Sequence, residues 1–257
     1  MKAVILAGGL GARLREETEY KPKPMVEIGG RPILWHIMKM YASYGFNDFV
    51  ICLGYKGDVI KEYFFHYELH HSDATITLGS RDIEFHTPHD EQGWKVTLAD
   101  TGESTLTGGR IKRIARYLGD DRFMVTYGDG VADVDINALV RHHLSHGKLA
   151  TVTAVHPSSR FGQLALEGGL VRLFREKPQV EDGWINGGFF VFERAVLDLI
   201  GGDDESLEQG LLEKLVERDQ LAVYQHSGFW QCMDTYREMQ LLNHLWREGR
   251  APWAKWA

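Results

Sequence analysis

A short apolar run, Val4 to Leu6, leads straight into three closely spaced glycines, Gly8, Gly9 and Gly11. The run has the signature of a buried strand. Glycine lets the backbone after it take positive φ and lets a ligand approach the main chain closely. Bare N–H groups in such a loop can cradle phosphate oxygens. Arg13 and Lys23 place full positive charges on either side.

The order of elements that follows sets the fold class. Arg31–Tyr44 has helical spacing, with Pro32 suited to a first helical turn. Residues 49–53 read as a second apolar strand, 58–67 as an amphipathic helix and 75–78 as a third strand. This β-α-β-α-β alternation argues for an α/β fold with a Rossmann-like, mostly parallel central sheet and helices on both faces. Ligands of such open sheets sit beyond the carboxyl ends of the strands. The loop Gly8–Arg13 falls at such an end.

Residues 80–109 depart from that order. Ile83–His86 and Lys95–Ala99 read as a pair of strands around a polar turn, a small additional β region. The stretch from Thr101 to Gly109 is rich in small hydroxyl residues. It reads as a loop lining a ligand site or as a plain connector capped at Thr107. Beyond it, strands are expected over 122–126, 150–155, 185–192 and 221–226. Helices are expected over 111–118, 136–146, 195–200 and 211–217, with a closing helix over 235–247. No internal repeat, low-complexity segment or linker interrupts the chain, so residues 1–257 read as a single domain.

Composition narrows the classes. The chain is 44% hydrophobic and 25% charged, ordinary for a globular protein. No apolar run approaches the roughly 18 residues that a membrane span requires. The N-terminus enters a strand at once, so no secretory signal is expected. Two cysteines, Cys52 and Cys232, make no disulfide framework, so a reduced, cytoplasmic setting is expected. The net charge of −7 disfavours nonspecific nucleic-acid binding, which needs a broad cationic surface. It leaves room for an anionic small molecule held by local cations, and Arg13, Arg15, Lys21 and Lys23 supply these.

The glycine loop is neither of two commoner kinds. A P-loop requires Gly-Lys-Ser/Thr, whereas Gly11 is followed by Ala12 and Arg13. A dinucleotide fingerprint counted from Gly9 finds Leu14 at its last glycine position. A glycine-rich turn without a ligand is the remaining alternative.

Leu6-Ala7-Gly8-Gly9-Leu10-Gly11-Ala12-Arg13, followed by Lys21-Pro22-Lys23-Pro24-Met25, resembles the signature of the sugar-phosphate nucleotidyltransferases. The resemblance continues through Tyr127-Gly128-Asp129-Gly130, Glu176-Lys177-Pro178, Asn186-Gly187-Gly188 and Trp230 to Thr235. It spans nearly the whole chain. Within that family it is most similar to the branch that makes CDP-glucose. The markers are Pro32 to Met40, the stretches Asp100 to Gly102 and Thr107 to Arg110, and Ala251-Pro252-Trp253. The resemblance implies an enzyme that uses CTP and α-D-glucose 1-phosphate with Mg2+, and a homo-oligomer, a hexamer by resemblance. A thymidylyl- or uridylyltransferase stays open, as does a catalytically silent nucleotide-sugar-binding protein.

Nucleotidyl transfer joins two anions, so catalysis is mostly positioning and charge neutralisation. Magnesium is satisfied by one or two carboxylates, with phosphates and water completing its shell. Asp129, between two glycines after an apolar strand, is one candidate. On its own it could be a turn residue. An EF-hand is excluded because the twelfth position is Val140. Asp234 is the second candidate, although it could instead cap the final helix. By resemblance, Asp129 and Asp234 hold the metal together. The resemblance places Lys23 on the triphosphate or the attacking phosphate and Arg13 on the leaving pyrophosphate. It places the nucleotide on residues 6–13, Lys23, Ser104, Gly109, Arg110 and Gly128. It places the sugar phosphate on Gly162, Glu176, Lys177, Asn186 and Gly187. No nucleophilic side chain is needed, which implies direct transfer without a covalent intermediate.

Two histidine groups, His66/His70/His71 and His142/His143/His146, lack the H-E-x-x-H pattern. They are expected to be packed or solvated side chains rather than a zinc centre. The tail carries Trp246, Trp253 and Trp256, an aromatic end expected to pack on the domain or on another subunit.

Overall fold

The first strand runs through the middle of the molecule, and both of its faces are covered. In β1 (Lys2–Leu6), Ala3 and Ile5 enter one apolar core while Val4 and Leu6 enter the other. That is why the strand reads as a continuous apolar run rather than an alternation. The structure is a computed structural model and describes residues 1–80, 82–157, 163–167, 170–175 and 183–256.

The strands follow in chain order. A small ribbon joins β2 (Glu27–Ile28) to β3 (Arg31–Pro32). Then come β4 (Asp48–Leu53), the hairpin β5 (Ala74–Thr77) with β6 (Asp82–Phe85), and β7 (Lys95–Asp100). Next are β8 (Arg122–Tyr127), β9 (Gly130–Ala132) and β10 (Ala150–Val155). An antiparallel pair, β11 (Gln163–Glu167) and β12 (Leu170–Arg175), precedes β13 (Ile185–Glu193), β14 (Leu221–His226) and β15 (Trp230–Cys232).

Seven strands form the central sheet in the order β14-β10-β13-β8-β1-β4-β7. The pairs β1/β4, β1/β8, β4/β7 and β10/β14 are parallel, and β13 alone runs antiparallel to its neighbours. The chain leaves β1 toward β4 on one side and returns to β8 on the other. The loop after β1 therefore opens at the point where strand order reverses, where open α/β sheets bind ligands.

Several expectations are corrected here. Residues 75–78 do not supply the third sheet strand. Ala74–Thr77 pairs with Asp82–Phe85 in a separate antiparallel hairpin, and Lys95–Asp100 takes the sheet edge beside β4. The pairing of Ile83–His86 with Lys95–Ala99 is thus not formed. Apolar alternation marks a strand but not its partner, and both segments carry it. The first long helix is Ile33–Ala42 rather than 31–44, because Arg31 and Pro32 pair with β2 and Pro32 becomes its N-cap. The helix expected over 111–118 begins earlier. It spans Thr107–Arg113, with a 3-10 turn at Ala115–Tyr117. The helix expected from 58 runs over Gly57–Phe65, and a second short helix, Tyr67–His71, follows it.

The tail packs on the domain. Trp253 is fully buried, and its Nε1–H donates to Nδ1 of the buried His36 at 3.3 Å. The Trp246 ring lies edge-on to His36 at 4.7 Å. Among the other histidines, His143 is buried, with Nδ1 2.8 Å from Thr151 Oγ1 and Nε2 3.2 Å from Glu193 Oε1.

Candidate active site

The loop after β1 is glycine-rich because it passes between two basic side chains. A Cβ on Gly8 would lie 2.2 Å from the Arg110 guanidinium. Gly11 has φ +62°, and a Cβ there would touch both Lys23 and Thr18 at 3.0 Å. Any larger residue at Gly8 would displace the guanidinium, and Gly11 also requires the left-handed backbone that glycine tolerates.

Arg110 comes from the helix Thr107–Arg113 and is buried. Its guanidinium donates to Gly8 O at 3.1 Å, Leu53 O at 3.0 Å, Gly102 O at 2.8 Å and Glu103 O at 3.2 Å. It also donates to Thr101 Oγ1 at 2.8 Å. Both terminal nitrogens are committed to these acceptors. Arg110 therefore ties the glycine loop to the loop after β7 and sets the width between them.

Lys23 sits in a one-turn 3-10 segment, Lys23–Met25, entered from an extended Pro22. Prolines on both sides stiffen the approach. The lysine side chain is only 11% exposed. Its Nζ donates to Asp129 Oδ2 at 2.6 Å and also to Asp234 Oδ1. Burial alone would lower the Lys23 pKa, but the two carboxylates outweigh it and the net shift is upward, so the ammonium stays charged.

Asp129 and Asp234 are joined by the ribbon β9–β15. Gly130 pairs with Cys232, and Met233 N donates to Asp129 O at 2.8 Å. Arg13 Nη1 donates to Asp234 Oδ2 at 2.6 Å. Asp234 does not cap the final helix, Tyr236–Arg247. Thr235 is the N-cap, and Glu238 completes a capping box. Glu238 Oε2 accepts from the backbone N–H of both Asp234 and Thr235, at 2.7 and 2.8 Å. The Asp234 carboxylate is thereby left to face the cations.

These groups line a cleft of about 590 Å3. Of the residues singled out in the sequence, its lining includes Leu6, Ala7, Gly8, Gly9, Leu10, Gly11, Arg13, Lys23, Ser104, Arg110, Gly128, Asp129 and Asp234. Pro24, Glu103, Thr105, Leu106, Thr107 and Tyr127 also line it; Glu103 and Thr105 to Thr107 belong to the hydroxyl-rich stretch 101–109, which the sequence offers as a ligand lining, whereas Pro24 and Tyr127 carry no separate role there. Tyr127 opens the motif Tyr127-Gly128-Asp129-Gly130, and that motif is the sequence signal pointing to it. Ala12 opens the 3-10 turn Ala12–Leu14. Gly109 faces away from the cleft. A Cβ there would lie 2.7 Å from Asp203 Cα, so its smallness serves the packing of two backbones. Asn186 donates to Tyr127 Oη at 3.1 Å, and Gly187 O accepts from Trp230 Nε1 at 2.8 Å. Gly162, Glu176 and Lys177 lie outside the described residues. A second cavity, of about 900 Å3, runs between the helices at 57–71 and β7, and none of the proposed site residues lines it.

A phosphate-sized loop, two cations and two convergent carboxylates at a strand-order reversal can hold a polyanion and a divalent cation together. Residues 2–235 match the model of the family described as nucleotidyl transferase. The chain belongs to the nucleotidyl transferase family. This nucleotidyl transferase is 56% identical over 257 residues to the glucose-1-phosphate cytidylyltransferase of Salmonella typhi, with 100% of both chains covered. It is 31% identical over 238 residues to the mannose-1-phosphate guanylyltransferase catalytic subunit beta of Xenopus tropicalis, covering 90% of this chain and 60% of that one. Its fold is similar to that of HddC from Yersinia pseudotuberculosis, solved in complex with GMP-PN. The TM-score there is 0.70 at 23% identity, covering 95% of this chain and 99% of the other.

Proposed function

We propose that this nucleotidyl transferase moves the cytidylyl group of CTP onto α-D-glucose 1-phosphate, forming CDP-glucose and releasing pyrophosphate. The carrying observation is the convergence of Asp129 and Asp234 on Lys23 beside the glycine loop. The full-length 56% identity to a glucose-1-phosphate cytidylyltransferase supports the choice of base and sugar.

In this reading, a phosphate oxygen of glucose 1-phosphate attacks the α-phosphorus of CTP. The bond from the α-phosphorus to its bridging oxygen breaks, and pyrophosphate leaves with that electron pair. The backbone N–H groups at Gly8 to Gly11 hold the triphosphate, and the Arg13 guanidinium, 74% exposed and paired with Asp234, turns to the leaving pyrophosphate. Lys23 lies against the reacting phosphates, and Ser104 and Gly128 bound the nucleotide. Asn186 and Gly187, with Gly162, Glu176 and Lys177, receive the sugar phosphate.

The donor set fits magnesium. Asp129 and Asp234 already direct carboxylate oxygens at one cationic nitrogen, and magnesium asks for no more than one or two carboxylates. Bound there, Mg2+ would neutralise charge on the triphosphate and the incoming phosphate.

The reaction is assigned to the cytoplasm, where Cys52 and Cys232 would stay as the free thiols they are in the structure. Among the described residues, no helix is long and apolar enough to cross a membrane. We further propose a homo-oligomer. The hairpin β5–β6 leaves Ile76, Leu78, Ile83 and Phe85 exposed, Leu78 at 92%. A two-stranded hairpin is marginal alone in water, so a second copy covering these side chains would stabilise it. The family resemblance makes a hexamer the expected size.

The reverse reaction tests the chemistry. CDP-glucose, pyrophosphate and Mg2+ should yield CTP and glucose 1-phosphate by phosphorus NMR. No exchange under these conditions would contradict the reading.

A further inference from the structure

Tyr127 ends β8 beside the metal carboxylate and lines the cleft. Its hydroxyl donates to Glu208 Oε1 at 2.5 Å. An ionised carboxylate only accepts hydrogen bonds, so the phenolic proton is committed in that direction. The tyrosine oxygen keeps its lone pairs, and Asn186 Nδ2 donates to it at 3.1 Å. The other end of the asparagine amide is fixed as well, because its Oδ1 accepts from the backbone N–H of Gly188 at 2.8 Å. A backbone N–H can only donate, so the amide cannot turn over. The three side chains form one relay of fixed polarity, from Asn186 through Tyr127 to Glu208. Asn186 has one N–H left, and the residue is exposed.

Glu208 is well placed to anchor such a relay. Its second oxygen accepts from Thr107 Oγ1 at 2.9 Å, and that hydroxyl in turn accepts from Leu207 N at 2.7 Å. Both carboxylate oxygens are therefore engaged, each by a residue that lines the cleft. Glu208 lies in the segment Leu207–Leu212, where the helix is kinked at Gln209 (φ −91°, ψ 17°). The Tyr127 ring is pressed against the β13 backbone, since a Cβ on Gly188 would lie 2.5 Å from it.

We infer that Glu208 is a positioning residue for the sugar phosphate: through Tyr127 it fixes Asn186 as a hydrogen-bond donor, which selects an acceptor oxygen of that substrate. The inference rests on the reading that Asn186 faces the sugar phosphate. No part of Glu208 needs to touch either substrate.

The test measures both KM values by pyrophosphate release for wild type, Tyr127→Phe, Glu208→Ala and the double variant. Tyr127→Phe keeps the packing and removes only the oxygen, so it decides the matter if Glu208→Ala does not fold. Each single variant should raise the KM for glucose 1-phosphate by about tenfold, the scale of one lost hydrogen bond. The KM for CTP should stay within about twofold, and the double variant should match the singles, as expected for residues acting as a unit. Unchanged KM for the sugar phosphate in Tyr127→Phe overturns the relay, as do equal rises in both KM values or multiplicative effects in the double. A wild type inactive with CTP and glucose 1-phosphate would overturn the substrate reading instead. The relay is then read on the triphosphate and sugar 1-phosphate that the wild type does accept.

Discussion

Lys23 and Asp129, far apart in the sequence, meet at 2.6 Å inside a cleft where the lysine side chain is only 11% exposed. The same ammonium also binds Asp234, and Arg13 holds the other oxygen of that carboxylate. Two cations and two anions thus form one cluster beside the glycine loop. A purely structural ion pair would need one partner each; here the carboxylates are drawn from two different strand ends onto one point.

Replacing either carboxylate should remove catalysis while keeping the fold. Asp129→Asn and Asp234→Asn are each expected to lower kcat by about 100-fold or more, the scale seen when one preorganised electrostatic group is lost. Lys23 keeps the remaining carboxylate as a partner, so circular dichroism and melting should stay close to wild type. Normal magnesium-dependent turnover in Asp129→Asn would remove that residue from the site.

Arg110 should act on the nucleotide through the loops it joins. Arg110→Lys keeps the charge but cannot span Gly8 O, Leu53 O, Gly102 O and Glu103 O with a single ammonium. Leaving buried acceptors unpaired costs about 1–3 kcal/mol each. The expected result is a lower melting temperature and a KM for CTP raised by about tenfold or more. A variant with wild-type stability and KM would show that the guanidinium does not set the loop spacing.

The glycine loop and the lysine between prolines are legible as short local patterns, whereas Asp129 and Asp234 read locally as a turn residue and a helix cap and are paired only by the family resemblance. Three further kinds of feature were not legible. The strand Lys95–Asp100 pairs with Asp48–Leu53, and nothing in its own alternation says so. Thr235 rather than Asp234 caps the last helix, a choice made by Glu238 three residues later. The S/T-x-x-E spacing was present in the sequence and could have freed Asp234 from that role. The resemblance places Arg110 on the nucleotide, yet its acceptors lie on the loop after β1, the end of β4 and the loop after β7, which only the fold brings together. The partnership of Tyr127 with Glu208 is equally long-range.

His36 gives the stability a specific pH dependence. Burial, aided by the charge of Arg31 and opposed by the hydrogen bond to Ile28 O, pushes its pKa down to about 4. The unfolded chain takes up this proton near pH 6.5 and the folded chain only near 4. Stability from the neutral ring is therefore full above pH 6.5 and is lost as the pH falls toward 4. The loss should approach about 3 kcal/mol. Denaturant melts at pH 7 and pH 4 should show that difference between wild type and His36→Gln, which cannot titrate. Parallel losses in the two proteins would contradict it.

The exposed hairpin should decide the assembly. Leu78→Lys with Ile83→Lys places two charges on the face proposed to meet another copy. Light scattering after size exclusion should show the wild type as an oligomer and the double variant as a smaller species. An unchanged mass would move the contact elsewhere on the surface.

Cytidylyl transfer to glucose 1-phosphate is read out by pyrophosphate release with a panel of triphosphates. Purified protein with glucose 1-phosphate and Mg2+ would be given CTP, dTTP, UTP, GTP and ATP in parallel. Release with CTP should lie far above that with the other four. Release led by dTTP or UTP would contradict the choice of base and leave the chemistry standing, whereas no release with any of the five would contradict the claim itself.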